Sequence, residues 1–264
     1  MPKTISFIGT GKMATALISC IHESSLGYLI IASDKDTGNL NKIKSKFNLK
    51  TTADNKEAAK NSDIVFICVK PQDIDDVLIE IKNEIRNHLV VSIAAGIKTK
   101  HIESMLGKKR VIRVMPNINC LVGEMAAGFS AGKHATKYDI KNVKEILDSA
   151  GISFFIREDL IDALSVVSGA GPAFFAYFIQ AIAEAGIKKG LPGEIAYKLA
   201  AKTALGTGKL ILEKNLSPED VIKMVASKKG VTLEGLKVLN KYKVKAILEK
   251  TVNAAHKRSR ELGK

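Results

Sequence analysis

Residues 5–17, ISFIGTGKMATAL, hold the decisive local pattern: an apolar run enters a glycine turn and leaves it as a helix. Gly9 permits the tight turn and Gly11 lets the backbone approach a pyrophosphate. Ala14, at the third position of a Gly-x-Gly-x-x-Ala spacing, is small enough for the helix to pack on the strand. The helix start then offers free N–H groups and a positive dipole end to phosphate oxygens. The glycine pattern alone would be weak support, but its surroundings agree with it. Ala14, Leu17, Ile18 and Ile21 recur at helical spacing. A second apolar run, YLIIAS from Tyr28, ends in Asp34, about where an acid that binds a ribose is expected. The stretch reads as a dinucleotide site.

Outward from this stretch, short apolar runs alternate with helical patterns as far as about residue 156, as a doubly wound α/β sheet requires. Strands are predicted at Thr4–Ile8, Tyr28–Ala32, Ile64–Val69, Leu89–Ile93 and Val111–Val114, with later ones at Ala127–Ser130 and Ser153–Ile156. The helix after Pro71 shows its core face through Ile74, Val77, Leu78 and Ile81, at i, i+3, i+4 and i+7. From Asp159 onward the alternation stops and only helical patterns remain. The expected domains are therefore 1–157, binding the dinucleotide, and 158–264, all helical. Pro172 is expected to start a helix that is apolar nearly all round and so buried among other helices or chains. Ser217-Pro218-Glu219-Asp220 reads as a helix start, with a serine cap and an acid returning to it. A last helix carries Val244, Ile247, Leu248, Thr251, Val252 and Ala255 on one face. A bundle of this kind suggests completion by a partner subunit, a homo-oligomer.

Composition narrows the function classes. The 264 residues are 46% hydrophobic and 26% charged with six prolines, the balance of a compact soluble protein. The formal net charge of +14 comes mostly from lysines scattered over predicted helix faces. Nucleic acid is not an expected partner, because the chain has no tryptophan and no basic stripe interleaved with stacking aromatics. No membrane association is expected either: the apolar helix from Ala173, AFFAYFIQAIAEAGI, contains Gln180 and Glu184 and is too short to cross a bilayer. Cys20, Cys68 and Cys120 are odd in number and far apart, which points to a reducing compartment and a cytoplasmic protein. The five histidines show no metal-ligand spacing, so no metal is expected. Ser168, followed by glycine, sits at a predicted helix start and not in a nucleophile elbow.

Several blocks together resemble the pyrroline-5-carboxylate reductase family from end to end. They are GTGKMATAL from Gly9, DNKEAAKNSDIVFICVKPQ from Asp54, VVSIAAGI from Val90, RVMPN from Arg113, EDLIDALSVVSGAGPAFF from Glu158, EAGIKKGLP from Glu184 and AAHKRSREL from Ala254. The resemblance implies an NAD(P)H-dependent enzyme that reduces 1-pyrroline-5-carboxylate to proline, the final step of proline biosynthesis. It implies an N-terminal Rossmann-type domain followed by an all-helical dimerisation domain, the dimers often assembling further into a ring of five, a decamer. By motif match, cofactor contacts fall on Ile8, Gly9, Thr10, Gly11, Lys12 and Met13, on Ser33, Asp34 and Lys35, and on Asn55. They continue on Val69, Lys70 and Pro71, and on Ala94, Ala95 and Gly96. These positions fit the rule that dinucleotides bind outside the carboxyl ends of parallel strands. The Asp34 carboxylate suits the ribose hydroxyls of NADH and repels the 2′-phosphate of NADPH, while Lys35 offers that phosphate a counter-charge, so the expected cofactor is NADPH or NADH.

The substrate side needs little acid–base machinery, because a protonated cyclic imine already has an electrophilic carbon. The family's anchoring loop for the substrate carboxylate aligns here with Ser227-Lys228-Lys229-Gly230-Val231-Thr232. Thr232 is expected to cap the following helix and hold the carboxylate beside neighbouring amides. The resemblance makes Thr232 and Ser165 the candidate catalytic residues, and Glu158, Gly230, Val231 and Thr232 the candidate substrate contacts; Asp162 also matches the imine pocket. Departures from the family cluster on this side: Lys228, Lys229 and Val231 in the loop, Ala170, Ile118-Asn119, and Lys202. They keep open a paralogous imine reductase with another cyclic imino acid, and a non-catalytic NAD(P)H-binding paralogue.

Overall fold

The structure, a computed structural model, describes residues 2–228 and 230–262. Lys229 of the expected substrate loop lies outside the described residues. One eight-stranded sheet contains β1 (Thr4–Ile8), β2 (Leu29–Ser33), β3 (Lys50–Thr52), β4 (Ile64–Ile67), β5 (Leu89–Ser92), β6 (Arg110–Met115), β7 (Met125–Ala131) and β8 (Gly151–Phe155). Its order is β3-β2-β1-β4-β5-β6-β7-β8, parallel throughout except between β6 and β7. The chain reverses direction of winding between β1 and β4, which opens a crevice at their carboxyl ends.

The strands alternate between two buried faces. Ile5, Phe7, Ile64, Phe66 and Val91 join one apolar core, and Ile8, Val65, Ile67 and Val90 join the other. Both sides are covered by helices, as parallel sheets require: α1 (Lys12–Glu23), α2 (Thr37–Phe47), α3 (Asn55–Lys60), α4 (Ile74–Ile81), α5 (Thr99–Leu106) and α6 (Lys137–Asp148). The expected core faces are present, with Ala14, Leu17, Ile18 and Ile21 of α1 buried, and likewise Ile74, Val77, Leu78 and Ile81 of α4. The predicted strands are met within a residue or two. β3 had no prediction, since three polar residues at a sheet edge leave no hydrophobic period.

The later helices are α7 (Ile161–Leu164), α8 (Gly171–Ile187), α9 (Gly193–Glu213), α10 (Pro218–Val225), α11 (Val231–Lys241) and α12 (Val244–Leu262). Contact density divides the chain after Gly169, later than the expected 157/158 boundary, and returns the turns from His256 onward to the sheet unit. The sequence boundary marks where strands end; the compact unit also keeps the helix that packs beneath them. Pro172 opens α8, yet the helix does not start there. It runs continuously over Glu158–Ile187, and Ser165–Ala170, Ser168 included, forms a π-helical stretch in place of the expected helix start. A proline withholds its N–H from the carbonyl four residues back, here that of Ser168. That carbonyl accepts instead from Asn117 Nδ2 at 3.1 Å, while Asn117 Oδ1 accepts the Ala126 N–H at 3.1 Å. The expectation of a helix too short for a bilayer therefore fails for the whole segment: its 30 residues are long and apolar enough by length and composition.

Within the helical unit, α8 is not buried by its own chain. Phe175, Tyr177 and Ile182 are 67%, 70% and 65% exposed, and the buried apolar cluster is Ala183, Ala196 and Ala200. The Ser217 start is a capping box with Asp220, as its sequence implies.

Candidate active site

The glycine turn is fixed by contacts that explain its residues. Gly9 sits at φ +90°, and a Cβ there would lie 3.0 Å from the carbonyl carbon and oxygen of Cys68 and from Val69 Cγ1. Its N–H donates to the Ser33 carbonyl at 2.8 Å, tying the turn to the end of β2. Gly11 stands in extended backbone at the cap of α1, no side chain caps that helix, and a Cβ on Gly11 would meet nothing within 4 Å. An uncapped helix start under open space suits a pyrophosphate. Around it, Ile8 and Thr10 are buried, Met13 is half-buried and Lys12 is exposed.

The Asp34 carboxylate is engaged within the chain. Its Oδ2 accepts from the N–H and the hydroxyl of Thr10, both at 2.7 Å, and its Oδ1 accepts from the Asp36 N–H at 2.9 Å. Burial opposes the charge, but these donors and the Asn39 side chain outweigh it and hold the carboxyl below its usual range. The exposed Lys35 ammonium lies 3.8 Å from Asp73. Ser33 Oγ donates to Asn55 Oδ1 at 2.7 Å, and Asn55 Nδ2 donates to Glu80 at 2.8 Å, so both ends of that amide are engaged. Val69, Lys70 and Pro71 follow β4, and Ala94, Ala95 and Gly96 follow β5, on the same edge of the sheet as the glycine turn.

Beyond these strand ends lies a cavity of about 320 Å³, lined by Pro71, Gln72, Ala95, Gly96, Arg113, Met115, Asp162, Ser165 and Ser259. A second cavity of about 440 Å³ shares Arg113 and Asp162 and adds Lys98, Glu158, Asp159, His256 and Arg260. Ser165 Oγ donates to the Asp162 carbonyl at 2.7 Å and lies 3.1 Å from Ser259 Oγ. Glu158 is already bound, its two oxygens accepting from the N–H and the hydroxyl of Thr99, each at 2.8 Å.

The sheet unit thus brings together Pro71, Ala95, Gly96 and Ser165 around one cavity and Glu158 in the next. Gly230, Val231 and Thr232 belong to the helical unit. There the expected cap is corrected: Gly230 caps α11 and Thr232 stands inside its first turn, because the helix already begins at Val231. A Cβ on Gly230 would come within 2.4 Å of Ser227 Oγ, and Val231 is 91% exposed. Sequence reasoning gave no role to Arg113 or Ser259. A single arginine inside the apolar strand VIRVM was a readable signal; Ser259, in a helical run far from the strands, carried none. Among the described residues, no group of three or more His, Cys, Asp or Glu is placed to hold a metal ion.

Comparison with known proteins agrees along the whole chain. Residues 158–262 match the family model for pyrroline-5-carboxylate reductase dimerisation, and residues 4–96 match the model for coenzyme F420-dependent NADP oxidoreductase. A pyrroline-5-carboxylate reductase of Methanosarcina acetivorans is 38% identical over 98% of both chains. Among solved structures, a pyrroline-5-carboxylate reductase from Coxiella burnetii superposes with a TM-score of 0.96 at 31% identity over 100% of both chains. A Plasmodium falciparum pyrroline carboxylate reductase with NADP bound gives 0.86 at 28% identity, over 99% of this chain and 98% of that one.

Proposed function

From the premise that the chain belongs to the pyrroline-5-carboxylate reductase family, we propose that it reduces 1-pyrroline-5-carboxylate to proline with NAD(P)H, the final step of proline biosynthesis. The observation that carries this reading is the cavity at the carboxyl ends of β4, β5 and β6, on the same sheet edge as an uncapped glycine turn and walled by Asp162 and Ser165. NAD(P)H supplies the hydride when bound. The Gly9–Met13 turn holds the pyrophosphate, Asp34, Lys35 and Asn55 face the adenosine end, and Val69–Pro71 with Ala94–Gly96 orient the nicotinamide. The protein's remaining task is positioning. Ser165 orients the imine, and the Thr232 hydroxyl with the first-turn amides of α11 holds the substrate carboxylate. The exposed apolar face of α8 supports dimerisation through the helical region, with assembly of five dimers into a decamer as the larger state. The reaction belongs in the cytoplasm.

The test is loss of reduced-nicotinamide absorbance with the five-membered imino acid, using NADH and NADPH separately. Turnover establishes the reaction, and the ratio of rates reports how Asp34 treats a 2′-phosphate. Turnover only with a six-membered cyclic imino acid would replace the substrate, and cofactor binding with no turnover would reject the enzyme reading. Thr232→Ala should raise the KM of the imine far more than that of the cofactor; equal effects would reject the anchoring role.

A further inference from the structure

Arg113 projects from β6 on the face of Val111 and Met115, with its side chain 5% exposed, at the wall common to both cavities. Its Nη1 lies 3.5 Å from Glu158 Oε1 and its Nη2 4.0 Å from Asp162 Oδ1. Two carboxylates beside one guanidinium leave no net positive charge at Arg113, so its guanidinium is already matched within the chain. The consequence lies one contact further on. Glu158 binds both donors of Thr99, the first residue of α5. Lys98, at the cap of α5, has no side-chain acceptor to offer. A carboxylate distant in sequence therefore caps the helix, where the dipole also favours negative charge. Between β5 and α5 runs the loop that carries Ala94–Gly96. Its near end is fixed by the Ile93 N–H donating to the Ile67 carbonyl at 3.1 Å, and its far end by Glu158.

We propose that Arg113 is a positioning residue for the reduction, holding Glu158 against Thr99 so that the Ala94–Gly96 loop presents one geometry to the nicotinamide. The proposal rests on the functional reading above for the identity of that ligand. Arg113 itself touches no reacting atom. It acts through Glu158, and it neutralises Asp162 where that carboxylate faces the cavity.

The test compares full-length Arg113→Met, Arg113→Lys, Glu158→Ala and the double variant Arg113→Met/Glu158→Ala. The readouts are kinetics with the imine, cofactor affinity, and amide hydrogen exchange over residues 94–99. A loop misplaced by a fraction of an ångström should lower kcat by roughly 10- to 100-fold, with a much smaller change in cofactor affinity. Arg113→Lys should recover part of the loss, since an ammonium keeps the charge but lacks the fork that reaches two carboxylates. Glu158→Ala should match Arg113→Met, and the double variant should be no worse than the poorer single one, as for residues acting in series. Exchange at Thr99 should rise in Arg113→Met and Glu158→Ala while β1 stays protected. Losses that multiply in the double variant, or Thr99 exchange that does not change, would overturn the proposal. If the wild type fails to turn over the imine, the functional reading fails, and the exchange data still decide whether Arg113 holds the loop. Should Arg113→Met not fold, Arg113→Lys and Glu158→Ala carry the same comparison.

Discussion

Alanine at Gly9 and alanine at Gly11 should damage the protein in opposite ways. At Gly9 the backbone has φ +90°, and the new Cβ would stand 3.0 Å from the Cys68 carbonyl carbon and oxygen and from Val69 Cγ1. Positive φ in a non-glycine residue costs about 1–2 kcal/mol, and two of the three contacts are with the Cys68 backbone just past β4, which can yield only if that segment moves. The expected loss of folding stability is roughly 2–4 kcal/mol, within the range of backbone-strain substitutions. Gly11 has φ −63° and open space around its missing Cβ. There alanine is a poorer helix cap by about 0.5–1 kcal/mol, but it lowers the entropy of the unfolded chain by a similar 0.4–1 kcal/mol. The two terms cancel, and stability should stay within about 0.5 kcal/mol of wild type. The methyl instead enters the open space proposed for the pyrophosphate. A rise in dinucleotide Kd of about 10- to 100-fold corresponds to roughly 1.4–2.8 kcal/mol. Urea unfolding measures the first quantity and nicotinamide fluorescence titration the second. Wild-type affinity in a folded Gly11→Ala protein would refute the cradle. Equal destabilisation by both substitutions would refute the steric distinction.

Other perturbations separate further parts of the structure. Asp34 has its carboxyl held below the usual range, so its stabilising contribution is present above the unfolded value near pH 4 and is lost as pH falls through the folded value. Wild type should accordingly lose more stability than Asp34→Asn on acidification below about pH 4, and parallel acid-unfolding curves would contradict this. Asn117→Ala removes partners from the Ser168 carbonyl and the Ala126 N–H at a site 4% exposed; at about 1–3 kcal/mol per unsatisfied group, a loss of roughly 2–6 kcal/mol is expected in urea, and a loss below about 1 kcal/mol would mean those groups find other partners. Burial pushes the Cys120 thiol up to about 12 and raises that of Cys68 as well. Mass spectrometry after alkylation near pH 8 should therefore find the buried Cys120 unmodified in native protein and modified once it unfolds; rapid native labelling of Cys120 would show that the packing around it opens.

The glycine turn and the strand and helix around it were legible because their signals are local in sequence. Strand, Gly9, Gly11, Ala14 and the first helix are consecutive, and each residue type answers to a backbone angle or a contact made within a few positions. Strand periodicity served for the buried strands and failed for β3, where an edge position needs only backbone pairing. The second cavity was less legible because its residues come from five places: the β5–α5 loop, β6, the turn after β8, α7 and the end of α12. No period links Lys98, Arg113, Asp162 and Arg260. Thr232 was misread for a different reason. Threonine is a common cap, but the glycine two residues earlier relieves a contact with Ser227 and takes the cap itself.

The helix over Glu158–Ile187 is where local reading and assembly meet. By length and composition it is apolar enough for a membrane, yet its residues fall within the dimerisation match. Its first turns bury Ile161 and Val166 in the sheet unit, but from Ala170 onward the helical unit's buried apolar cluster is Ala183, Ala196 and Ala200. Three alanines bury too little apolar surface to offset the entropy of ordering this unit, while Phe175, Tyr177 and Ile182 remain outside. A second copy supplies the missing surface without placing Gln180 and Glu184, joined at 2.8 Å, in hydrocarbon, where a charge costs about 2.5–3.5 kcal/mol at mid-bilayer. The stability of the folded chain is then linked to its concentration through assembly. The Gly9 and Gly11 comparison therefore has meaning only at one fixed protein concentration, and a midpoint that rises with concentration equally in all variants would locate the linkage in the helices and not in the glycine turn.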